Sequence, residues 1–295
     1  YYIGIILANN KKQDYSMIEL DAIDYNKPVK LTKNIHRLTS RNPSQMTGPG
    51  TNTYIIGHSS FVVVDPGPAL QSHVHNILHY FGQRIEAVLV THTHKDHSPA
   101  ARIIAKETGA KLFGSMIEND GHQDTTFSSQ KKIKDNEILK FSENSVKAIQ
   151  TPGHVANHIC YLIESDEFLI TGDHLMEGTT VVIIPPSGSM KDYMDSLQKL
   201  MDYNFKYIGP GHGMVINKPK QEIERVYRHR VKREKKILKI VTETKPSSLE
   251  ELTKKAYGDV NENLHFWASK SLLAHLIKLE TEKLVVQNKG KWSAY

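Results

Sequence analysis

The chain has 295 residues, 39% of them hydrophobic and 24% charged, with a single Cys. That length can bury a sizeable core and points to one large domain plus a small one. The composition excludes a disulfide framework, a bundle of membrane-spanning helices and a low-complexity chain. The charge is uneven. Lys and Arg number 38 against 32 Asp and Glu, a formal net charge of +6, and residues 221–295 hold 16 basic against 10 acidic side chains.

Tyr1 to Ala8 is apolar, short and without a basic start, so it reads as a strand rather than a signal peptide. The chain does not begin with Met, which fits a trimmed N-terminus. Phe61-Val62-Val63-Val64-Asp65 is an apolar run ending in a carboxylate. His73, His75 and His79 follow on a segment read as a surface helix, with no metal role. Ile85 to Val90 predicts a strand, and behind it comes Thr91-His92-Thr93-His94-Lys95-Asp96-His97. Ser98-Pro99 reads as an N-cap with proline in the first helical turn. A strand-to-helix loop therefore presents three imidazoles and a carboxylate at the carboxyl end of a strand. Neutral imidazole nitrogen and carboxylate oxygen suit zinc or a similar divalent metal.

Glu118 to Gln130, with Asp120, His122 and Asp124, is polar and reads as a surface loop. Thr151-Pro152-Gly153-His154 precedes an apolar strand, Ile159 to Ile163, which contains Cys160. A single Cys makes no intramolecular disulfide and reads here as a small core residue in a reducing compartment. That compartment is the cytoplasm, or the mitochondrial matrix if the source is eukaryotic. His158 is placed to hydrogen-bond substrate or to support a ligand from behind. Phe168-Leu169-Ile170-Thr171-Gly172-Asp173 is a second apolar run ending in a carboxylate, and Tyr207-Ile208-Gly209-Pro210-Gly211-His212-Gly213 ends in a glycine-flanked histidine. Glycine lets backbone approach a ligand closely. Between them lies a Pro/Gly/Ser connection, with Ser187, Ser189 and Tyr193 as candidate substrate contacts.

Ile223, Val226, Tyr227, Val231, Ile237, Leu238 and Val241 then recur at helical spacing. Arg225, Arg228, Arg230, Lys232, Arg233, Lys235, Lys236 and Lys239 fall among them. This predicts an amphipathic helix with a basic solvent face, either simply solvated or a phosphate-binding surface. A helix from Leu249 to Tyr257 follows, with Ser247 or Ser248 as N-cap. Next come a longer helix, Leu264 to Glu282, and a hairpin, Lys283 to Gln287 and Lys291 to Tyr295, turning through Asn288-Lys289-Gly290. Helix, helix, helix, hairpin is the order of a winged-helix domain. Such modules bind nucleic acid or serve in packing and dimerisation. The expected division is a catalytic domain over 1–220 and the basic helix plus winged helix over 221–295.

Asp65, the His92/His94/Asp96/His97 group, His154, Asp173 and His212 form five motifs in order, and together they resemble the metallo-β-lactamase superfamily of metal-dependent hydrolases. The resemblance implies an α+β fold: an αββα sandwich of two sheets with helices outside and metals at one edge. It implies two Zn2+, or another divalent pair. His92, His94 and His154 would hold one ion, Asp96, His97 and His212 the other, with Asp173 bridging. Asp65 would hydrogen-bond beside the metal loop rather than ligate. A metal-bound hydroxide would be the nucleophile, with Asp96 and Asp173 as its catalytic carboxylates.

With the terminal domain included, the chain resembles the group of β-lactamase-like protein 2 and its bacterial relatives. Gly50-Thr51-Asn52-Thr53-Tyr54 resembles that group's leading strand, Gly178 to Leu197 its substrate loop, and His229-Arg230 and Arg233-Glu234 its helix start. The group includes endoribonucleases acting on single-stranded RNA, which makes that polymer the first expected partner. The alternative is a thioesterase like glyoxalase II, or another small-ester or lactone hydrolase, although glyoxalase II carries a different C-terminal helical domain. Zinc β-lactamases of the familiar type place a Cys in the second metal site, and Cys160 lies elsewhere. A nucleic-acid-binding module without catalysis would need no intact metal constellation. No membrane partner is expected, and a homo-oligomer stays open.

Overall fold

The computed structural model describes residues 23–295, so the strand expected at Tyr1 to Ala8 lies outside the described residues. Two sheets lie face to face. The first holds β1 (Val29–Lys30), β2 (Ile35–Thr39), β3 (Asn52–Gly57), β4 (Phe61–Val64), β5 (Ile85–Leu89) and β6 (Lys111–Phe113), in that spatial order. β1 to β4 pair antiparallel, whereas β4–β5 and β5–β6 are parallel. Parallel pairs need crossovers, and α1 (Gln71–Phe81) and α2 (Pro99–Thr108) supply them. The second sheet runs β7 (Glu137–Lys140), β8 (Ser145–Gln150), β9 (Ile159–Ile163), β10 (Phe168–Gly172) and β11 (Tyr207–Pro210). Only β10–β11 is parallel, with α3 (Met190–Leu200) in the crossover.

Side-chain alternation builds the layers. Tyr54, Ile56, Val62 and Val64 meet Ile159, Tyr161, Ile163, Phe168 and Ile170 between the sheets. Ile55 and Val63 point the other way, onto Val74, Ile77 and Phe81 of α1 and Ala100, Ala101 and Ile104 of α2. Cys160, Leu162 and Leu169 pack on Met194, Leu197 and Leu200 of α3 and on Ile223 and Val226 of α4 (Pro219–Glu243). Central strands are thus buried on both faces, which is why they read as unbroken apolar runs. This is the αββα sandwich. Burial also pushes the Cys160 thiol up to about 12, as befits an inert core residue.

α4 serves two cores. Further along it, Ile237 and Val241 join Leu252, Leu272, Leu276, Leu279, Val285 and Trp292. That core is closed by α5 (Leu249–Ala256), α6 (His265–Thr281) and a small sheet of β12 (Ser247–Ser248), β13 (Val285–Asn288) and β14 (Lys291–Ala294). Ser248 caps α5 through a reciprocal capping box with Glu251. The C-terminal unit is a winged helix. No helix among the described residues is long and apolar enough to cross a membrane.

Two expectations change. The basic face of α4 is not uniformly solvated. Arg230 is 2% exposed and donates to the Val181 carbonyl, and Arg233 reaches the Ala256 carbonyl and Asp259. Arg225, Arg228 and Lys236 pair with Glu222, Glu224 and Asp259. Register is the reason: Arg230 falls one turn beyond Val226, on the buried stripe. His73 is likewise buried, its Nε2 2.8 Å from Thr53 Oγ1, while His75 and His79 stack outside.

Candidate metal centre

Every side chain of the five motifs reaches the same edge of the sandwich. Asp65 follows β4, the His92–His97 loop follows β5, and His154 lies between β8 and β9. Asp173 follows β10 and His212 follows β11. Two donor groups result, His92, His94, His154 and Asp173, and Asp96, His97, His212 and Asp173, each with its ligand atoms within 4.8 Å of one another. Asp173 belongs to both. Its Oδ2 lies 4.0 Å from His92 Nε2 and 3.7 Å from His154 Nε2, and its Oδ1 lies 3.3 Å from His97 Nε2 and 3.4 Å from His212 Nε2. Asp96 Oδ2 is 3.2 Å from His212 Nε2. His94 turns Nδ1 inward, 2.9 Å from His92 Nε2 and 3.2 Å from His154 Nε2.

The remote ring nitrogens are tied down, which fixes the tautomers. His97 Nδ1 donates to Asp65 Oδ2 at 2.9 Å, His154 Nδ1 to the Val182 carbonyl at 2.9 Å and His212 Nδ1 to the Gly50 carbonyl at 3.1 Å. His92 Nδ1 meets Thr91 Oγ1 at 3.0 Å. Thr91 in turn gives its N–H and hydroxyl to the two oxygens of Asp65, each at 2.7 Å. Lone pairs are therefore aimed at the centre, the arrangement that orients imidazole toward a metal. Among the described residues, buried His97 Nε2 and Asp173 Oδ1 have no hydrogen-bond partner. Unpaired buried polar atoms are costly, and a cation between them would satisfy both. The donor set fits a borderline divalent ion.

Electrostatics agree. Burial disfavours the charged forms, yet Asp173, Asp96 and Asp65 hold the His97 pKa well above its ordinary value. Burial is likewise outweighed at His212, which Asp173 and Asp96 raise to about 9, and at Asp173, which His212 and His97 hold well below the usual carboxylate range. Gly211 is obligatory: a Cβ there would lie 2.5 Å from Asp173 Oδ1 and 2.7 Å from His97 Cε1.

The remaining candidates separate. His158 sits behind His92, rings 5.2 Å apart, with Nδ1 2.9 Å from Thr151 Oγ1. It is wholly buried and faces no substrate space. Ser187 lines the cavity beside the centre and donates to Asp120. Ser189 instead caps α3, accepting from Asp192 N. Tyr193 is fully buried and donates to the His174 carbonyl at 2.8 Å, so neither Ser189 nor Tyr193 lines the cavity. Ser98 does not cap α2; its hydroxyl goes to Asp124 at 2.8 Å. Hence the 118–130 stretch is only partly surface: Gln123, Asp124 and Phe127 are buried, and Asp120 and His122 line the cavity.

That cavity holds about 580 Å³. His94, Asp96, His154, Asp173 and His212 form one wall, and Met46, Met176, Val182 and Ile184 another. The winged helix closes it with Tyr257, Val260, Leu264, Trp267 and Ala268, and α4 adds His229, Arg230 and Arg233. The sequence reading missed Thr91, which positions Asp65 and His92 together. It also missed the lining role of Trp267 and Arg230. Their only signal was their place beside buried positions on α6 and α4.

Residues 46–212 match the model of the metallo-beta-lactamase superfamily, and residues 248–292 match the beta-lactamase associated winged helix domain. A beta-lactamase-like protein 2 homolog of Caenorhabditis elegans is 30% identical over 269 residues, 88% of each chain. An atrochrysone carboxyl ACP thioesterase of Aspergillus fumigatus is 30% identical over 217 residues, 70% of this chain and 65% of that protein. A metallo-beta-lactamase family protein of Thermus thermophilus has a TM-score of 0.74 at 19% identity, over 90% of this chain and all of that one. Fold, donor arrangement and these matches place the chain in the metallo-β-lactamase superfamily, as a member that carries the associated winged-helix domain.

Proposed function

We propose that the chain is a dinuclear metal-dependent hydrolase of a small ester or thioester with an apolar acyl part. The observation that carries this reading is the cavity: it joins the donor cluster to a wall of Met, Val, Ile, Leu and Trp side chains. The His/Asp set best suits zinc, and a pair of such divalent ions held there would supply Lewis acidity and lower the pKa of water. The chain does the rest. His92, His94 and His154, and Asp96, His97 and His212, would hold the ions, with Asp173 common to both donor groups. Asp65, through His97 and Thr91, keeps the ligands in register. Asp96, with a side chain 30% exposed, lines the cavity and is placed to orient the nucleophile and take its proton. The apolar wall binds the acyl chain and excludes bulk water. The thioesterase name of the Aspergillus fumigatus relative supports this substrate class.

A second reading, endonucleolytic cleavage of single-stranded RNA, rests on exposed Lys232 and Lys235 on α4. The test is a panel with the zinc-loaded protein: acyl thioesters, a chromogenic phosphodiester and single-stranded RNA. Thioester turnover that chelation abolishes is the expected result. RNA cleavage with no thioester turnover would overturn the first reading in favour of the second.

A further inference from the structure

The cavity wall contributed by α4 is cationic, although the metal centre makes no use of it. Arg230 is 2% exposed; its guanidinium donates to the Val181 carbonyl and meets the Tyr193 hydroxyl. Its Nε is buried without a partner, and the guanidinium lies over the Tyr193 ring at 5.3 Å. No carboxylate among the described residues pairs with it, whereas neighbouring Arg233 is matched by Asp259. A buried, unmatched guanidinium is expensive. His229 Nδ1, on the same wall, is also buried without a partner. Burial, with Arg230 and Arg233 beside it, lowers the His229 pKa to about 4, so the ring is neutral and the unmatched charge is that of Arg230.

We propose that Arg230, flanked by His229, is an oxyanion-recognition subsite that selects substrates whose apolar acyl chain ends in a carboxylate or phosphate-like group. This rests on the hydrolase reading above and names its substrate class. The planar guanidinium suits a bidentate oxyanion. Apolar side chains, Val182, Leu264 and Trp267 among them, line the same cavity, so the ligand would join its anionic end to an apolar part.

The experiment uses the zinc-loaded full chain and N-acetylcysteamine thioesters, whose leaving group is neutral. Acyl chains of graded length end in a methyl, a carboxylate or a phosphonate. The expected result is a kcat/KM preference of roughly ten- to a hundredfold for an anionic end over methyl, the range for a charge-assisted hydrogen bond. Carboxylate against phosphonate identifies the source of the oxyanion. Arg230→Gln should bring the ratio toward one, and Arg230→Lys should retain part of it. Should the variants misfold, calorimetric binding of the free acids and the matching alcohols to the unaltered protein decides the matter. Acids bound no better than alcohols would overturn the subsite. Turnover of methyl-ended and anionic thioesters alike would overturn it while leaving the hydrolase reading intact. If no thioester is hydrolysed, the thioester reading falls, and the acid-against-alcohol binding still decides the subsite.

Discussion

Asp173 is the one carboxylate that both donor groups share. Asp173→Ala should therefore strip both ions, whereas Asp65→Ala, which only loosens His97 and Thr91, should lower affinity or activity by roughly 10–100-fold. Metal analysis after dialysis separates the two; an Asp65 variant that loses all metal beside an Asp173 variant that keeps it would reverse the roles. Protons compete for the same atoms. Against burial, Asp173 and Asp96 raise the His212 pKa to about 9 and hold that of His97 well above its ordinary value, so without metal both rings take up a proton more readily than free imidazole. Ligation must expel those protons. Metal affinity should thus climb with pH toward about 9 and fall as pH drops, by roughly tenfold per unit for each proton displaced. Zinc titrations from mildly acidic to alkaline pH test this; a flat affinity would contradict it. These residues were legible in the sequence because a metal needs particular donor atoms, and the chain sets them at the ends of apolar runs. Arg230 was not, because a charge reads as solvent-facing unless its helical register is checked first.

At the level of elements, strands buried on both faces announced themselves as apolar runs, and β9, β10 and β11 match the runs at 159, 168 and 207. Short edges such as β1, β6 and β12 carry too few residues for any period to show. The two serines read as caps differ for a physical reason. Ser248 has Glu251 one turn on to complete the box. Ser98 is in a helical conformation, and its hydroxyl is held by Asp124. Ser248→Ala should therefore cost about 1 kcal/mol, felt in the winged helix. Urea unfolding followed at Trp292 would read it. An unchanged midpoint would mean that the packing of α5, not its cap, holds that helix.

The whole molecule decides what the donor cluster faces. Trp267 and Leu264 were legible as apolar positions of a helix, but not as the roof over the donor cluster. That depends on how the winged helix docks, and docking leaves no period in the sequence. The same docking holds Arg233 on Ala256 and Asp259 and leaves Lys232 and Lys235 as exposed cations on α4. Replacing both lysines with Glu discriminates between the two substrate classes. If long RNA is held along this face, binding should weaken and its log–log salt dependence should flatten by about 0.7 for each phosphate that is no longer neutralised. Thioester turnover, confined to the cavity, should stay as it was. A single-stranded RNA affinity with the same salt slope in the doubly substituted chain would mean that these lysines are solvated charge. The winged helix would then act only through the wall that it gives the cavity, beside the donor cluster and Arg230.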